Sequence, residues 1–182
     1  NKSLKVIRKV LREHNNKITI VVGCMTQVNS KILDSLNVSI ILGNSGKSKI
    51  HKYIEEYKKT NKQIKILDNI MEMKFEDMCL NNFNKTRAFV KIEDGCENFC
   101  SYCIIPYARG ANRSVKEEKI IEQIKVLLSE GFKEICLTGI DACSYEPSFS
   151  GLVENILKTF PDLPSLQFGS LDPAAIDDKF IN

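Results

Sequence analysis

Apolar residues in the first sixty positions of the chain recur first at helical and then at strand spacing. Leu4, Ile7, Val10 and Leu11 recur at helical spacing, which is typical of one face of an amphipathic helix. Short unbroken apolar runs are typical of buried strands. The predicted elements are, in order, a helix over 3–14, a strand over 18–22, a helix near 27–36, a strand over 38–42 and a helix near 49–58. This alternation predicts a parallel sheet with helices on its faces.

The pattern is lost over residues 59–86, which are polar and irregular and include an Asn-rich run at 81–84. Such composition is typical of a connector between two folded units. We therefore predict a boundary near Asn84, with a first domain over 1–84 and a second over 85–182.

The second half of the chain returns to regular alternation. Ser114 and Glu117 have the spacing of a capping box at the start of a long helix, and Gly131 is a natural helix stop. The predicted elements are a strand over 87–93, a helix over 114–131, a strand over 134–138, a helix over 151–159 and a strand over 165–170. The order β-α-β-α-β again predicts a parallel sheet.

Three unusual loops follow these three strands: a cysteine run after the first, "GIDAC" at 139–143 after the second, and "LDPAA" at 171–175 after the third. In parallel α/β sheets and barrels, the loops after the carboxyl ends of the strands share one edge and carry the active site. We expect these loops to lie at one edge.

The composition predicts the redox state of the cysteines and the cellular compartment of the protein. The 182 residues contain seven cysteines, an odd number in a chain long enough to fold without disulfides, so reduced or metal-bound thiols are expected. The sequence has no stretch of eighteen uncharged apolar residues and no apolar signal segment near its first residue. These features predict a cytoplasmic protein without membrane association. The net charge of +3 points to no partner.

The cysteine run places Cys96, Cys100 and Cys103 in a C-x-x-x-C-x-x-C pattern. Three thiolates around one point repel each other unless cations neutralise them, so a metal centre is expected. Structural zinc sites usually use paired cysteines and a fourth ligand, and the remaining Cys and His residues show no such pair. The spacing favours an iron–sulfur cluster with one open iron, and zinc is the alternative.

These residues also carry a family resemblance. The segment "KIEDGCENFCSYCIIPYARG" at 91–110 resembles the radical S-adenosylmethionine superfamily and, within it, the methylthiotransferases. "VVGCMTQ" at 21–27, "GFKEICLTGID" at 131–141 and "SLDP" at 170–173 extend the resemblance over most of the chain. "CIIPYARG" and "LTGI" are most similar to the tRNA threonylcarbamoyladenosine enzymes. The isopentenyladenosine and ribosomal-protein enzymes are the alternatives.

The resemblance implies roles for particular residues. The three cysteines of the run would hold a 4Fe-4S cluster whose open iron binds S-adenosylmethionine. Tyr102, Gly139 and Ser170 match cofactor-pocket positions, and Arg109 matches a position for a substrate phosphate or the cofactor carboxylate, with a structural salt bridge as the alternative. Cys24 matches the last ligand of a second, auxiliary 4Fe-4S cluster.

The resemblance also implies an architecture and partners. It implies an α/β chain: the C-terminal part of a Rossmann-like parallel-sheet domain over 1–84, then the first three β/α units of a partial TIM-like barrel over 85–182. The chain would be the central fragment of a longer enzyme, inactive alone, whose tRNA substrate and electron donor, such as flavodoxin or ferredoxin, are its partners. Asp141 departs from the asparagine usual at that position. A non-catalytic zinc module or a functionless relic is the alternative of another class.

Overall fold

The structure is a computed structural model that describes residues 2–67, 69–72, 75, 86–173 and 176–181. The chain divides into two compact units. The first consists of Asn1–Glu76 together with Phe99–Gly110, and the second of Asp77–Asn98 and Ala111–Asn182. The predicted boundary at Asn84 lies outside the described residues and stays a prediction.

The first unit contains a three-stranded parallel sheet in the order β1-β2-β3. The strands are β1 (Ile20–Val22), β2 (Ile40–Leu42) and β3 (Ile64–Ile66). The helices are α1 (Lys2–Glu13), α2 (Cys24–Asn29), α3 (Ile50–Thr60) and α4 (Ile105–Arg109), with single 3-10 turns at Ser30–Leu33, Lys47–Lys49 and Ile70–Glu72. All three residues of β2 are fully buried, as expected of a central strand.

Helix α1 covers the first unit with one apolar face, which confirms the predicted amphipathic helix. Leu4 is buried in a cluster with Leu33, Val38 and Ile41, and Ile7 and Leu11 pack against the same cluster. Burial of such side chains contributes about 1.5–3 kcal/mol each to folding.

Three details of the first unit differ from the sequence expectations. The segment expected to be a connector contains β3, whose two isoleucines flank a single lysine and make a pattern too short to stand out. Helix α2 begins at Cys24, before the predicted start, and changes to a 3-10 turn at Ser30. The first strand is only partly buried, since Val22 is 37% exposed.

The second unit contains a parallel sheet in the order β4-β7-β8 and a separate antiparallel ribbon of β5 and β6. The strands are β4 (Arg87–Lys91), β5 (Glu93–Asp94), β6 (Arg113–Ser114), β7 (Glu134–Thr138) and β8 (Ser165–Phe168). The helices are α5 (Glu117–Ser129), α6 (Phe149–Thr159) and α7 (Asp178–Ile181). The predicted β-α-β-α-β order and the parallel sheet are confirmed.

Helix α5 packs against β4 and α6 and buries Ile120, Ile124 and Leu127. It ends at Ser129, and the predicted stop residue Gly131 follows with a φ of 91°, a left-handed conformation that favours glycine. The predicted capping box is wrong, because Ser114 lies in β6 and its hydroxyl accepts the backbone N–H of Glu146 at 2.8 Å. None of the helices in the described part of the chain is long and apolar enough to cross a membrane.

Replacing Ile124 tests the core beneath the second sheet. Ile124→Ala should lower the free energy of unfolding by about 3 kcal/mol, because the side chain is fully buried and its loss leaves a cavity. Val126→Ala is the matched control, because the side chain of Val126 on the same helix is 39% exposed. This variant should change the free energy of unfolding by less than about 0.5 kcal/mol. Urea unfolding measures both, and equal effects of the two variants would contradict the packing.

Candidate functional site

The carboxyl ends of the three parallel strands of the second unit lie at one edge of the sheet. Lys91 of β4 pairs with Thr138 of β7, and Leu137 pairs with Phe168 of β8. The chain therefore leaves the sheet toward Ile92, Gly139 and Gly169 on the same side. This is the edge at which open and closed parallel sheets place their ligands.

Glu93 is the central side chain of this edge, although the sequence analysis did not select it. It is 0% exposed, and its Oε2 accepts the backbone N–H groups of Ile140 and Asp141, both at 2.8 Å. Its Oε1 is buried and has no hydrogen-bond partner within the described ranges. Burial raises the pKa of Glu93 to about 7; the two backbone N–H groups oppose this shift and the negative charges of Asp94 and Asp141 add to it.

Gly139 is required at its position by the closeness of Glu93. A Cβ atom there would lie 2.7 Å from Glu93 Oε2 and 3.2 Å from the Cα of Ala142. The carboxylate cannot retreat without losing the two backbone hydrogen bonds that hold it. Ser170, the other predicted pocket residue of this unit, is exposed just beyond β8. The cofactor roles of Gly139 and Ser170 stay predictions.

The loop after β7 is tied to the segment that follows the first cysteine. Asn98 Nδ2 donates to Asp141 Oδ2 at 3.2 Å. Asp94, one residue after Glu93, pairs with Lys91 at 2.5 Å and with Arg113 at 3.6 Å, and it also accepts the backbone N–H of Gly95 at 3.1 Å. The chain is thus held on both sides of Cys96.

The three cysteines of the run lie in a segment without helix or strand, and all are free thiols. Cys96 and Cys103 are partly buried and Cys100 is exposed. The backbone N–H of Cys103 donates to the carbonyl of Cys100 at 2.9 Å, so the last two cysteines share one turn. Phe99 adopts φ 45°, a conformation rare outside glycine, which turns the chain sharply just before Cys100.

The three cysteines are candidate ligands of an iron–sulfur cluster. Across the described ranges, no three His, Cys, Asp or Glu side chains are already gathered closely enough to hold a metal ion. The donor chemistry nevertheless fits, because the three thiols are free, none is sealed in the core, and they lie on an irregular loop. The residues fit the cluster by the chemistry of the donors and not by a preformed cage.

Cys24, in the first unit, lies at the start of α2 and contacts two polar side chains. Arg109 Nε donates to Cys24 Sγ at 3.4 Å, and Asn44 Nδ2 donates to it at 3.5 Å. Asn44 is buried and also donates to the carbonyl of Ala108 at 2.6 Å, which fixes the amide between α2 and α4. The structure thus joins two predicted site residues, Cys24 and Arg109, that are 85 positions apart.

Two further features of the first unit concern predicted residues. Tyr102 is 90% exposed, so its ring is available to a ligand. Gly110, which follows Arg109, has φ 76°, and a Cβ there would lie 2.5 Å from the carbonyl oxygen of Ile70. Glycine at 110 therefore allows the close approach that orients the end of α4.

Comparison with known proteins agrees with the chemistry of the loop. Residues 90–161, which include the three cysteines of the run, match the model of the Radical SAM superfamily. The segment that carries the cysteine run is thus similar to radical SAM proteins. It is 35% identical over 185 residues to the threonylcarbamoyladenosine tRNA methylthiotransferase MtaB of Rickettsia prowazekii, covering 96% of this chain and 42% of that protein.

Other relatives extend the similarity. The MtaB protein of Bacillus subtilis is 33% identical over 188 residues, which cover 99% of this chain and 42% of the relative. A tRNA-2-methylthio-N(6)-dimethylallyladenosine synthase of Clostridium botulinum (strain Loch Maree) is 34% identical over 190 residues, covering 98% and 42%. The chain thus spans about two fifths of the length of the curated relatives it matches.

Alanine at Gly139 tests the contact with Glu93. Gly139→Ala should lower the free energy of unfolding by about 1–3 kcal/mol, because the new Cβ overlaps the fixed carboxyl oxygen. Gly169→Ala is the matched control, since its Cβ would meet only the carbonyl oxygen of Leu137 at an ordinary 3.7 Å, and its effect should stay within about 0.5 kcal/mol. Chemical unfolding that ranks the two variants equally would contradict the close approach.

The raised pKa of Glu93 predicts a specific dependence of stability on pH. The folded value of about 7 lies above the ordinary 4.5, so the stability due to the protonated carboxyl is complete below pH 4.5 and is lost as pH rises through 7. Relative to Glu93→Gln, the wild-type free energy of unfolding should fall by about 2 kcal/mol between pH 5 and pH 8. Urea unfolding at both pH values measures this difference, and a constant or rising difference would be the contrary result.

Proposed function

We propose that the whole protein is a radical SAM methylthiotransferase that converts threonylcarbamoyladenosine beside the tRNA anticodon to its 2-methylthio form. The observation that carries this proposal is the position of the C-x-x-x-C-x-x-C loop, which follows β4 and the short strand β5, within a chain similar over nearly its full length to tRNA methylthiotransferases. The substrate, the partners and the activity belong to the whole protein.

The two sheets support a finer proposal for the architecture. The sheet β1-β2-β3 with its helices would be the C-terminal part of a Rossmann-like domain. The sheet β4-β7-β8 would be the first three β/α units of a TIM-like barrel, which needs about 200 residues or more when complete. The domain limits of 1–84 and 85–182 belong to this proposal.

The cofactor site is proposed on the cysteine loop that follows β4 and β5. Cys96, Cys100 and Cys103 would hold a 4Fe-4S cluster, and the chemistry supplied when it and S-adenosylmethionine are bound is one-electron cleavage of the sulfonium. The chain's own part is to bind and to position. Its cysteines would supply thiolates, the exposed ring of Tyr102 would offer a surface for the adenine, and Gly139 and Ser170 would line the cofactor pocket.

Cys24 and Arg109 are proposed to act together in the first unit. Cys24 would be one ligand of the auxiliary 4Fe-4S cluster. Arg109 then has an alternative to the proposed contact with a substrate phosphate or the cofactor carboxylate, because its Nε already donates to Cys24 Sγ. A guanidinium beside a thiolate ligand would offset part of the negative charge that gathers when cysteines bind a cluster.

The proposed partners follow from the substrate and the chemistry. The tRNA is the substrate, and a low-potential protein such as flavodoxin or ferredoxin would donate the electron. These partners would place the protein in the cytoplasm. The MtaB relative of Rickettsia prowazekii and the dimethylallyladenosine relative of Clostridium botulinum are 35% and 34% identical to this chain, so analysis of the tRNA nucleosides decides between the two substrates.

The substrate is tested by deleting the gene in its source organism and analysing tRNA nucleosides by mass spectrometry. The expected result is loss of 2-methylthio-threonylcarbamoyladenosine with retention of 2-methylthio-isopentenyladenosine. The opposite pattern would reassign the enzyme to isopentenyladenosine. Retention of both would move the substrate from tRNA to protein, as in the ribosomal-protein enzymes, or contradict the function altogether.

Metal content tests the cysteine loop in this chain. Anaerobic reconstitution with iron and sulfide should load about four irons per chain and give a brown protein. Cys100→Ala should lose this iron, whereas Cys143→Ser, outside the run, should keep it. Stoichiometric zinc in a colourless protein would instead support a zinc module, and absence of any metal would support a relic.

A further inference from the structure

Asn98 lies midway between the first two cysteines of the run and donates a hydrogen bond to Asp141 in the loop after β7. We propose that Asn98, Asp141 and Glu93 form a positioning relay that fixes the first segment of the cysteine loop to the carboxyl edge of the sheet. The proposal rests on the proposed function in one respect, since it assigns the relay to the loop that would hold the cluster.

The relay begins at a rigid point. Glu93 is fully buried in β5, and its Oε2 accepts two consecutive backbone N–H groups, those of Ile140 and Asp141. A single oxygen that accepts two adjacent backbone donors fixes both the position and the direction of that backbone. The loop after β7 is therefore set by Glu93 and not only by the strand that precedes it.

The backbone of Asp141 is fixed by hydrogen bonds, and this determines where its side chain starts. Its backbone carbonyl accepts the N–H of Ser144 at 2.9 Å and the hydroxyl of the same serine at 2.8 Å, while its own N–H donates to Glu93. The backbone of Asp141 is thus held on both sides. Its carboxylate is consequently presented from a defined place, and Oδ2 meets Asn98 Nδ2 at 3.2 Å.

Asn98 is the loop end of the relay. It is exposed and lies in a segment without helix or strand, two residues after Cys96 and two before Cys100. A loop of this kind loses conformational entropy when its thiols gather around a cluster. A hydrogen bond to a fixed carboxylate reduces this loss, because it limits the conformers of the loop before the cluster binds. The relay therefore acts on the cluster site through the backbone of the loop.

The polarity of the contact is set by the aspartate at 141. An ionised carboxylate only accepts hydrogen bonds, so its partner must be a donor, and the amide of Asn98 supplies one. An aspartate at 98 would face Asp141 with a second carboxylate. The pair therefore offers an exchange experiment in which the two side chains trade places.

The test compares Asn98→Asp, Asp141→Asn and the double exchange with the wild-type chain. The first readout is the time course of iron–sulfur absorbance loss in the reconstituted chain under a chelator. Asn98→Asp should accelerate the loss about fivefold, because a charge-assisted hydrogen bond is replaced by repulsion. Asp141→Asn keeps an amide oxygen as acceptor and should stay within about twofold of wild type, and so should the double exchange, which restores the bond with reversed polarity.

The second readout is hydrogen exchange of the peptide covering residues 95–99 in the chain without metal. Asn98→Asp should raise its exchange rate, and the double exchange should return it to the wild-type value. Thermal unfolding of all variants should agree within a few degrees, because the exposed side chain of Asn98 contributes little to global stability. A uniformly lower melting temperature would mark a general structural defect and overturn the positioning role.

The outcomes separate the two proposals. If the wild-type chain binds no iron, the proposed cofactor site fails, and hydrogen exchange alone decides the relay. If iron binds and Asn98→Asp matches wild type in both readouts, the relay is wrong while the cofactor site stands. Faster loss in Asn98→Asp without recovery in the double exchange would also overturn the relay, because recovery requires the direct contact.

Discussion

Parallel pairing of β4, β7 and β8 is the constraint on which the candidate site depends. It brings the ends of three strands to one edge, so that residues far apart in sequence leave the sheet side by side. Glu93 then uses this proximity, because its single carboxyl oxygen reaches two backbone N–H groups of the loop after β7. Burial of that carboxyl raises its pKa. Its two hydrogen bonds fix the backbone beside the cysteine run.

The sequence was sufficient for the coarse architecture of the second unit because its strands are separated by long, strongly periodic helices. Glu134–Thr138 was located without error, and the three cysteines were selected from their spacing alone. Glu93 was missed because a carboxylate at the end of a strand usually faces solvent, and only the tertiary structure reveals that it is fully buried. Ser114 was misassigned because a local capping motif competed with strand pairing to Glu93, and the pairing prevailed.

The first unit also has features that the sequence did not predict. Its third strand, Ile64–Ile66, is three residues long and becomes recognisable only through its pairing with β2. Cys24 and Arg109 were each selected by resemblance. Their positions in the sequence did not predict that the guanidinium would contact the thiol. Both proposed metal sites thus combine cysteines that a pattern reveals with polar neighbours that only the fold brings to them, as expected where outer partners orient the ligands.

The central claim is that the edge formed by this chain is a site for a cluster and S-adenosylmethionine together. Equilibrium dialysis of labelled S-adenosylmethionine against the iron-loaded and the metal-free chain tests it most directly. The account predicts saturable binding by the iron-loaded chain that is lost in the metal-free chain and in Cys100→Ala. Equal binding by both forms, or no binding by a chain that carries four irons, would contradict it.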